Sequence, residues 1–257
     1  MSAKALITEE TAAASFVESF DGVRIHYDYY DAGSSAMVLV IPGFWRTRRH
    51  PSMRRLGPFL NDSGFNTAIV DVRGHGDSGG RYGFNFQEHH DVAAVLSQLI
   101  ESKKPERIIL MGFSVGGAIA VSTAARHALP ITSLLLISSV AEFAMITPKI
   151  NLFRLNRHVA VSQAFSTPRF DWRFARSEKL NAAQDIRNVS VPVCLIHVKE
   201  DWLIGHAHSL ALYAQANEPK EMHLIDMPGN FHADRIFSVA GELVEPIVID
   251  FLKRSTV

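Results

Sequence analysis

The sequence predicts an α/β domain in which a mostly parallel sheet is covered by helices on both faces. Three observations predict it. Short, nearly continuous apolar runs recur along the chain, as expected of strands buried on both faces. Between them lie segments whose apolar residues return every three or four positions, the period of a helix packed on one side. The two patterns alternate through most of the 257 residues, and that alternation yields parallel strands joined by helical crossovers.

Taken in order, residues 23–30 alternate, with Val23, Ile25 and Tyr27 on one face, and read as an exposed-edge strand. Residues 37–41 are continuously apolar and close on Pro42-Gly43, so they read as a central strand. Residues 66–70 give the next strand. Val92, Val95, Leu96, Leu99 and Ile100 form one helical stripe, with Asn85 and Glu88 spaced as a capping box at its start. Residues 107–111 read as a strand, and a helix follows from Ser114 toward Ala128, stopped by Pro130. Residues 133–137, 191–198 and 221–227 supply further strands. A terminal helix over 243–252 places Pro246 in its first turn.

One segment breaks the rhythm. About fifty residues separate Val140 from Val191, too many for a simple crossover. They carry Phe143, Met145, Phe153, Phe165, Phe170, Trp172 and Phe174, too apolar for a solvated linker. The expectation is a small inserted helical lid over 141–190, with 1–140 and 191–257 forming the core.

Composition narrows the class. Twenty-six Lys and Arg balance 26 Asp and Glu, so no global field points to nucleic acid or an anionic membrane. No stretch approaches the roughly 18 apolar residues of a membrane span, and the first fifteen residues lack the apolar centre of a secretory signal. The single cysteine, Cys194, cannot form an intrachain disulfide and reads as a small core side chain. Together these lead to the expectation of a soluble, cytoplasmic protein.

The strongest local signal is Gly112-Phe113-Ser114-Val115-Gly116, followed by Gly117. It lies between a predicted strand and a predicted helix, the setting in which a G-x-S-x-G serine is exposed on a sharp turn. Glycines two before and two after keep side chains away from that turn. The helix behind Ser114 would offer free N–H groups where an oxyanion forms. A serine needs a base to take its proton and a carboxylate to orient the base. Of the twelve histidines, His232 follows the last predicted strand at the same sheet edge as Ser114, and Asp201 follows residues 191–198 there. His206 and His208 are the rival bases, and Glu200 and Glu142 the alternative acids. Two backbone donors are expected for the oxyanion: the N–H of Val115, and the N–H of Phe44 beyond Gly43.

Pro42-Gly43-Phe44, Asp71-Val72-Arg73-Gly74-His75-Gly76-Asp77-Ser78, Gly112-Phe113-Ser114-Val115-Gly116, Asp201 and His232 together resemble the α/β-hydrolase superfamily in order and spacing. Within it the chain looks like the lysophospholipase and monoacylglycerol-lipase-like esterases, over about residues 23–252. Two departures stand out: Pro42 where members often carry histidine, and Leu203-Ile204-Gly205 in place of the Val-Pro common after the acid. The resemblance implies an α/β-hydrolase fold and the triad Ser114, Asp201 and His232. It also implies that residues 73–78 shape a turn beside the site.

The expected activity is hydrolysis of small or medium carboxylic esters through an acyl-enzyme, with no metal or organic cofactor. Trp45, Phe113, Phe143 and Phe231, with Phe44, are candidates for the acyl wall. A thioesterase with the same triad and a non-catalytic binding protein on the same fold are the alternatives. Arg46, Arg48, Arg49, Arg54 and Arg55 follow the oxyanion glycine without an intervening acid. Residues 141–190 add Lys149, Arg154, Arg157, Arg169, Arg173, Arg176, Lys179 and Arg187, against Glu142, Asp171, Glu178 and Asp185. This raises the expectation of a positive mouth and an anionic group on the ester or thioester substrate.

Overall fold

The computed structural model describes residues 12–84, 87–146, 168–171, 181–229 and 231–255. Its strands are β1 (Ala13–Glu18), β2 (Arg24–Tyr30), β3 (Ala36–Ile41), β4 (Asn66–Val70), β5 (Arg107–Phe113), β6 (Ser133–Ile137), β7 (Val193–Val198) and β8 (Lys220–Ile225). The helices are α1 (Pro51–Asp62), α2 (Glu88–Lys103), α3 (Val115–Arg126), α4 (Ala182–Asp185), α5 (Ala207–Gln215), α6 (Ile236–Val239) and α7 (Gly241–Arg254). All eight strands join one sheet in the order β1-β2-β4-β3-β5-β6-β7-β8. The β1–β2 and β2–β4 pairs are antiparallel and the other five parallel. This is the α/β-hydrolase fold.

The unbroken apolar character of β3 follows from its position. Met37, Leu39 and Ile41 face a core shared with α2 and α3. Val38 and Val40 face a second core with Met53, Leu56 and Leu60 of α1 and Val244, Val248, Phe251 and Leu252 of α7. No face of β3 meets water, so no polar alternation is needed. The parallel register pairs Ile41 with Gly112, Phe113 with Ile137, Ile137 with Ile196, and Val198 with Ile225. The C-terminal ends of β3, β5, β7 and β8 therefore finish along one edge, where the candidate site residues follow.

Several expectations are corrected. β2 is not the sheet edge, because β1 pairs along its outer side. β1 gave no sequence signal, since its residues are half-exposed or exposed. The arginine-rich stretch after Gly43 contains α1, with His50 accepting from the Ser52 N–H and Pro51 at the first helical position. The C-terminal helix starts at Gly241, so Pro246 lies inside it rather than in its first turn. Both Pro246 and Glu242, whose carbonyl the proline cannot bond, are exposed to water. Asn85, the expected cap of α2, lies outside the described residues.

So does most of the expected lid. Its described end does not stand apart from the body: Ala182, Ala183, Ile186 and Val189 sit in the core beside α3. Asp185 receives two hydrogen bonds from Arg126 and one from Ser122. Segment 168–171 docks on the loop after β4, where Arg169 and Gly74 pair through their backbones and Tyr82 pairs with Arg169 and Asp171.

That loop is anchored by Arg73, which is 2% exposed. Its guanidinium donates to Asp91 of α2 at 2.6 and 2.7 Å and to Asp21 of the β1–β2 hairpin at 2.9 Å. Ser19 adds a 2.6 Å bond to Asp91. Truncating one partner of such a pair strands a buried charge, which costs about 3–5 kcal/mol. Arg73→Ala is expected to lose stability in that range, read as a lower urea midpoint.

Candidate active site

β5 delivers the chain to Ser114 at φ 53° and ψ −120°, and α3 begins at the next residue. A serine is strained there, at roughly 1–3 kcal/mol, so the surroundings must hold it. Ser114 N–H donates to Ile137 O at 2.9 Å, while its carbonyl accepts from Gly117 N–H at 3.0 Å and Val140 N–H at 3.2 Å. The flanking glycines serve close approach. A Cβ on Gly112 would overlap Gly116 and Gly117, and one on Gly116 would overlap the carbonyls of Ile41 and Pro42.

The loop after β8 brings His232 to this turn, with Nε2 2.9 Å from Ser114 Oγ. Its Nδ1 lies 2.8 Å from Asp201 Oδ2. With the proton on Nδ1, the ring donates to the carboxylate and Nε2 accepts from the serine hydroxyl. Asp201 divides its oxygens, because Oδ1 accepts from the N–H groups of Leu203 at 2.9 Å and Ile204 at 3.0 Å. The departure at Leu203-Ile204-Gly205 thus still supplies the donors that fix the carboxylate. Burial alone would raise the Asp201 carboxyl, but the adjacent His232, its hydrogen bond, His197 and the Leu203 N–H hold it below its ordinary value.

The rival groups are engaged elsewhere. His206 Nδ1 pairs with Lys199 O, and His208 Nδ1 accepts from the Ala141 N–H. Glu200 is exposed, and Glu142 precedes a short 3-10 turn over Phe143–Met145 without capping it through its side chain.

Gly43 lies against the serine: a Cβ on it would stand 3.1 Å from Ser114 Cβ. The next two amides diverge. Trp45, at φ 63°, donates its N–H to His75 Nε2 at 3.2 Å. Among the described residues, neither Phe44 N–H nor Val115 N–H has a backbone or side-chain acceptor. His75 is fully buried and pairs through Nδ1 with Arg73 O. Burial pushes its imidazole down to about 4, so it stays neutral and keeps Nε2 as an acceptor. Arg46 then ties this loop to the histidine loop, its Nε 3.1 and 3.2 Å from the two carboxylate oxygens of buried Asp234. The motif placed residues 73–78 beside the site, but neither the His75 contact with Trp45 nor the Arg46–Asp234 pair had a local sequence signal, because each joins loops distant in the chain.

Of the expected wall residues, Phe44, Trp45 and Phe143 belong to one aromatic cluster, joined by Tyr82, Phe84 and Phe170. Phe44 stacks on Tyr82 at 5.4 Å and tilts on Trp45 at 4.3 Å, and Phe84 meets Phe143 edge-on at 5.9 Å. Phe113 does not join it. It packs in the core with Phe237, because its place in β5 turns it to the α1 and α7 side. Phe231 lines a separate groove with Met227, Pro228, Phe237 and Leu243.

Part of the charge expected at the mouth is paired, while Arg54 and Arg55 are exposed, and Lys149, Arg154, Arg157, Arg173, Arg176 and Lys179 lie outside the described residues. Arg46 is paired with Asp234, Arg48 with Asp28, Asp71 and Asp77, and Arg49 with Asp77. Arg169 turns to backbone carbonyls of Ser78 and Gly80. Among the described residues, groups with metal-ligand spacing lie away from Ser114, at His89, His90 and His127 and at Cys194, Glu221 and His223. Among the described residues, no helix is long and apolar enough to cross a membrane.

Comparison with known proteins follows the same lines. A family model described as serine aminopeptidase, S33 (Hydrolase_4) matches residues 33–185. The uncharacterized protein YfhR of Escherichia coli (strain K12) is 28% identical over 199 residues, covering 76% of this chain and 62% of YfhR. The chain thus spans less than two thirds of that relative. The esterase Pf2001 of Pyrococcus furiosus superposes with a TM-score of 0.74 at 22% identity, covering 95% of this chain and 92% of that one. The α/β hydrolase GrgF from Penicillium sp. sh18 gives 0.79 at 16% identity, over 95% and 99%. An esterase from Exiguobacterium antarcticum gives 0.70 at 15%, over 93% and 99%. At such identities the likeness is one of fold.

Proposed function

Because the chain belongs to the serine aminopeptidase S33 (Hydrolase_4) family of α/β-hydrolases, we propose that it is a serine-dependent carboxylic ester hydrolase working through an acyl-enzyme. The observation that carries this reading is the unbroken path from Ser114 Oγ to His232 at 2.9 Å and on to Asp201 at 2.8 Å. His232 takes the Ser114 proton as Oγ attacks the ester carbonyl. The N–H groups of Phe44 and Val115 receive the oxyanion. The protonated imidazole, held by Asp201, gives its proton to the leaving alcohol. Water then repeats the sequence on the acyl-enzyme, with His232 again as base, and releases the acid.

The aromatic cluster around Phe44 favours a small or medium apolar acyl group. An aminopeptidase reading would require a carboxylate to hold the substrate ammonium. The buried acids at the triad, Asp201 and Asp234, are already held by His232 and Arg46, Asp226 pairs with Lys199, and Glu200 faces solvent. A neutral ester fits better.

The test is a fluorophosphonate probe on the native protein, with the labelled peptide identified by mass spectrometry. Stoichiometric labelling at Ser114 is expected, together with turnover of p-nitrophenyl butyrate. An unlabelled, folded protein rejects the reading. Because Arg46, Arg48 and Arg49, the arginines nearest Gly43, are paired, kcat/KM for neutral and anionic esters should respond alike to ionic strength between about 20 and 500 mM salt. A steep fall confined to the anionic ester would show a positive mouth after all.

A further inference from the structure

The first turn of α2 carries His89 and His90, and His127 ends α3. The start of one helix therefore meets the end of the other. His89 Nδ1 and His127 Nε2 stand 2.9 Å apart. The His90 ring centre lies 4.0 Å from that of His89 and 5.1 Å from that of His127. One nitrogen from each ring falls within 4.8 Å of the other two. A tetrahedral zinc with bonds of about 2.0–2.1 Å holds its ligands about 3.3 Å apart. Small rotations of the half-buried His90 and His127 rings would close that difference.

Among the described residues, the only ring-nitrogen hydrogen bond in the cluster is the one between His89 and His127. Burial, then the neighbouring His90, His127 and Arg126, push His89 down to about 3, against a smaller opposite pull from Asp185. Burial also lowers His90, with Asp91 and Asp21 opposing and Arg73 and Arg126 assisting. Burial, His90 and Arg126 lower His127. The nearby cations are already balanced, Arg126 by Asp185 at 2.8 Å and Arg73 by Asp91 at 2.6 Å. The carbonyl end of α3 adds partial negative charge at His127.

We propose that His89, His90 and His127 bind a divalent ion of the zinc class, with water as fourth ligand, clamping the start of α2 to the end of α3. Three neutral imidazoles suit Zn²⁺ and its neighbours, not Mg²⁺ or Ca²⁺. The ion takes the place of the proton shared by His89 and His127. The donor ring shifts that proton to its other nitrogen, so none is lost. α3 rises about 18 Å over its twelve residues, and Ser114 lies beyond its far end. The ion accordingly acts on stability rather than on the reaction.

The experiment uses the full chain stripped with a chelator, titrated with Zn²⁺ against a chromophoric competitor, and with Co²⁺ followed in the visible. The wild type is expected to take up one Zn²⁺ per chain, give a tetrahedral Co²⁺ spectrum and gain Tm with Zn²⁺. His90→Gln and His127→Gln, at half-buried positions, should each weaken binding by at least about tenfold and lose the gain in Tm. His223→Gln, which disables the cluster at Cys194, should bind as the wild type does. In the unsubstituted protein, Zn²⁺ should shield His90 and His127 from diethyl pyrocarbonate, read by peptide mass. No saturable uptake, no shielding, or unchanged binding in both cluster variants overturns the proposal.

Discussion

Ser114→Ala is expected to lower kcat/KM for p-nitrophenyl butyrate by roughly 10⁴- to 10⁶-fold, the range in which loss of a nucleophile or its base falls. The fold should survive, because the backbone bonds from Ser114 to Ile137, Gly117 and Val140 do not use the side chain. Ser114→Gly supplies an internal control. At φ 53° and ψ −120° glycine is unstrained where serine and alanine are not. The glycine variant should therefore be as inactive as the alanine variant and melt at a higher temperature. Asp201→Asn tests the third member separately. Its Oδ1 can still accept from Leu203 and Ile204, but its amide would face His232 Nδ1 with a donor and force the wrong tautomer. A loss of about 10⁴-fold in kcat with little change in Tm is expected. Full activity in any Ser114 variant would end the nucleophile assignment.

Acid should unfold the protein well above the range in which carboxylates titrate. Burial lowers His50, His75 and His197 to about 4 and His89 to about 3. In the unfolded chain each returns to about 6.5. Since the folded values lie below the unfolded one, the unfolded state binds the extra protons between about pH 6.5 and 4. Stability is complete above that window and lost as pH falls through it. One such group contributes about 1.4 kcal/mol per pH unit, so four together contribute about 5.5 kcal/mol per unit. Glu88, Asp71 and Asp91, all raised by burial, oppose this in part. A domain with about 5–15 kcal/mol to lose should show a Tm that drops by roughly tens of degrees between pH 7 and pH 5. Calorimetry in the presence of a chelator measures this, and His50→Gln should reduce the slope by about one proton. A flat profile would mean that these rings are protonated in the fold.

Much of the fold was legible because burial leaves a mark on composition. β3 reads as central since both of its faces are covered, and the Gly112–Gly116 turn reads as an elbow since only glycine tolerates such close neighbours. α1 was not read, although Met53, Leu56 and Leu60 carry a helical spacing, because five arginines surround them and two prolines interrupt them. β1 was missed since an exposed edge strand needs no apolar alternation. At the site, Ser114, Asp201 and His232 could be ordered along the chain because each follows a strand of the same sheet. The parity of β5 could have excluded Phe113, which shares a face with Ile109 and Met111. His75 beneath Trp45 and Arg46 on Asp234 could not have been found that way. Such contacts exist only once remote loops have converged.

The three backbone bonds at Ser114 also tie the order of the turn to that of the whole domain. They join the elbow to β6, to α3 and to the loop after β6, so the turn cannot relax while the middle of the sheet persists. The Ser114 amide should rank with the slowest hydrogens to exchange, opening only when the whole domain does. Heating should then reduce the number of competent molecules without degrading each one, and the loss of activity should trace the same curve as the loss of structure.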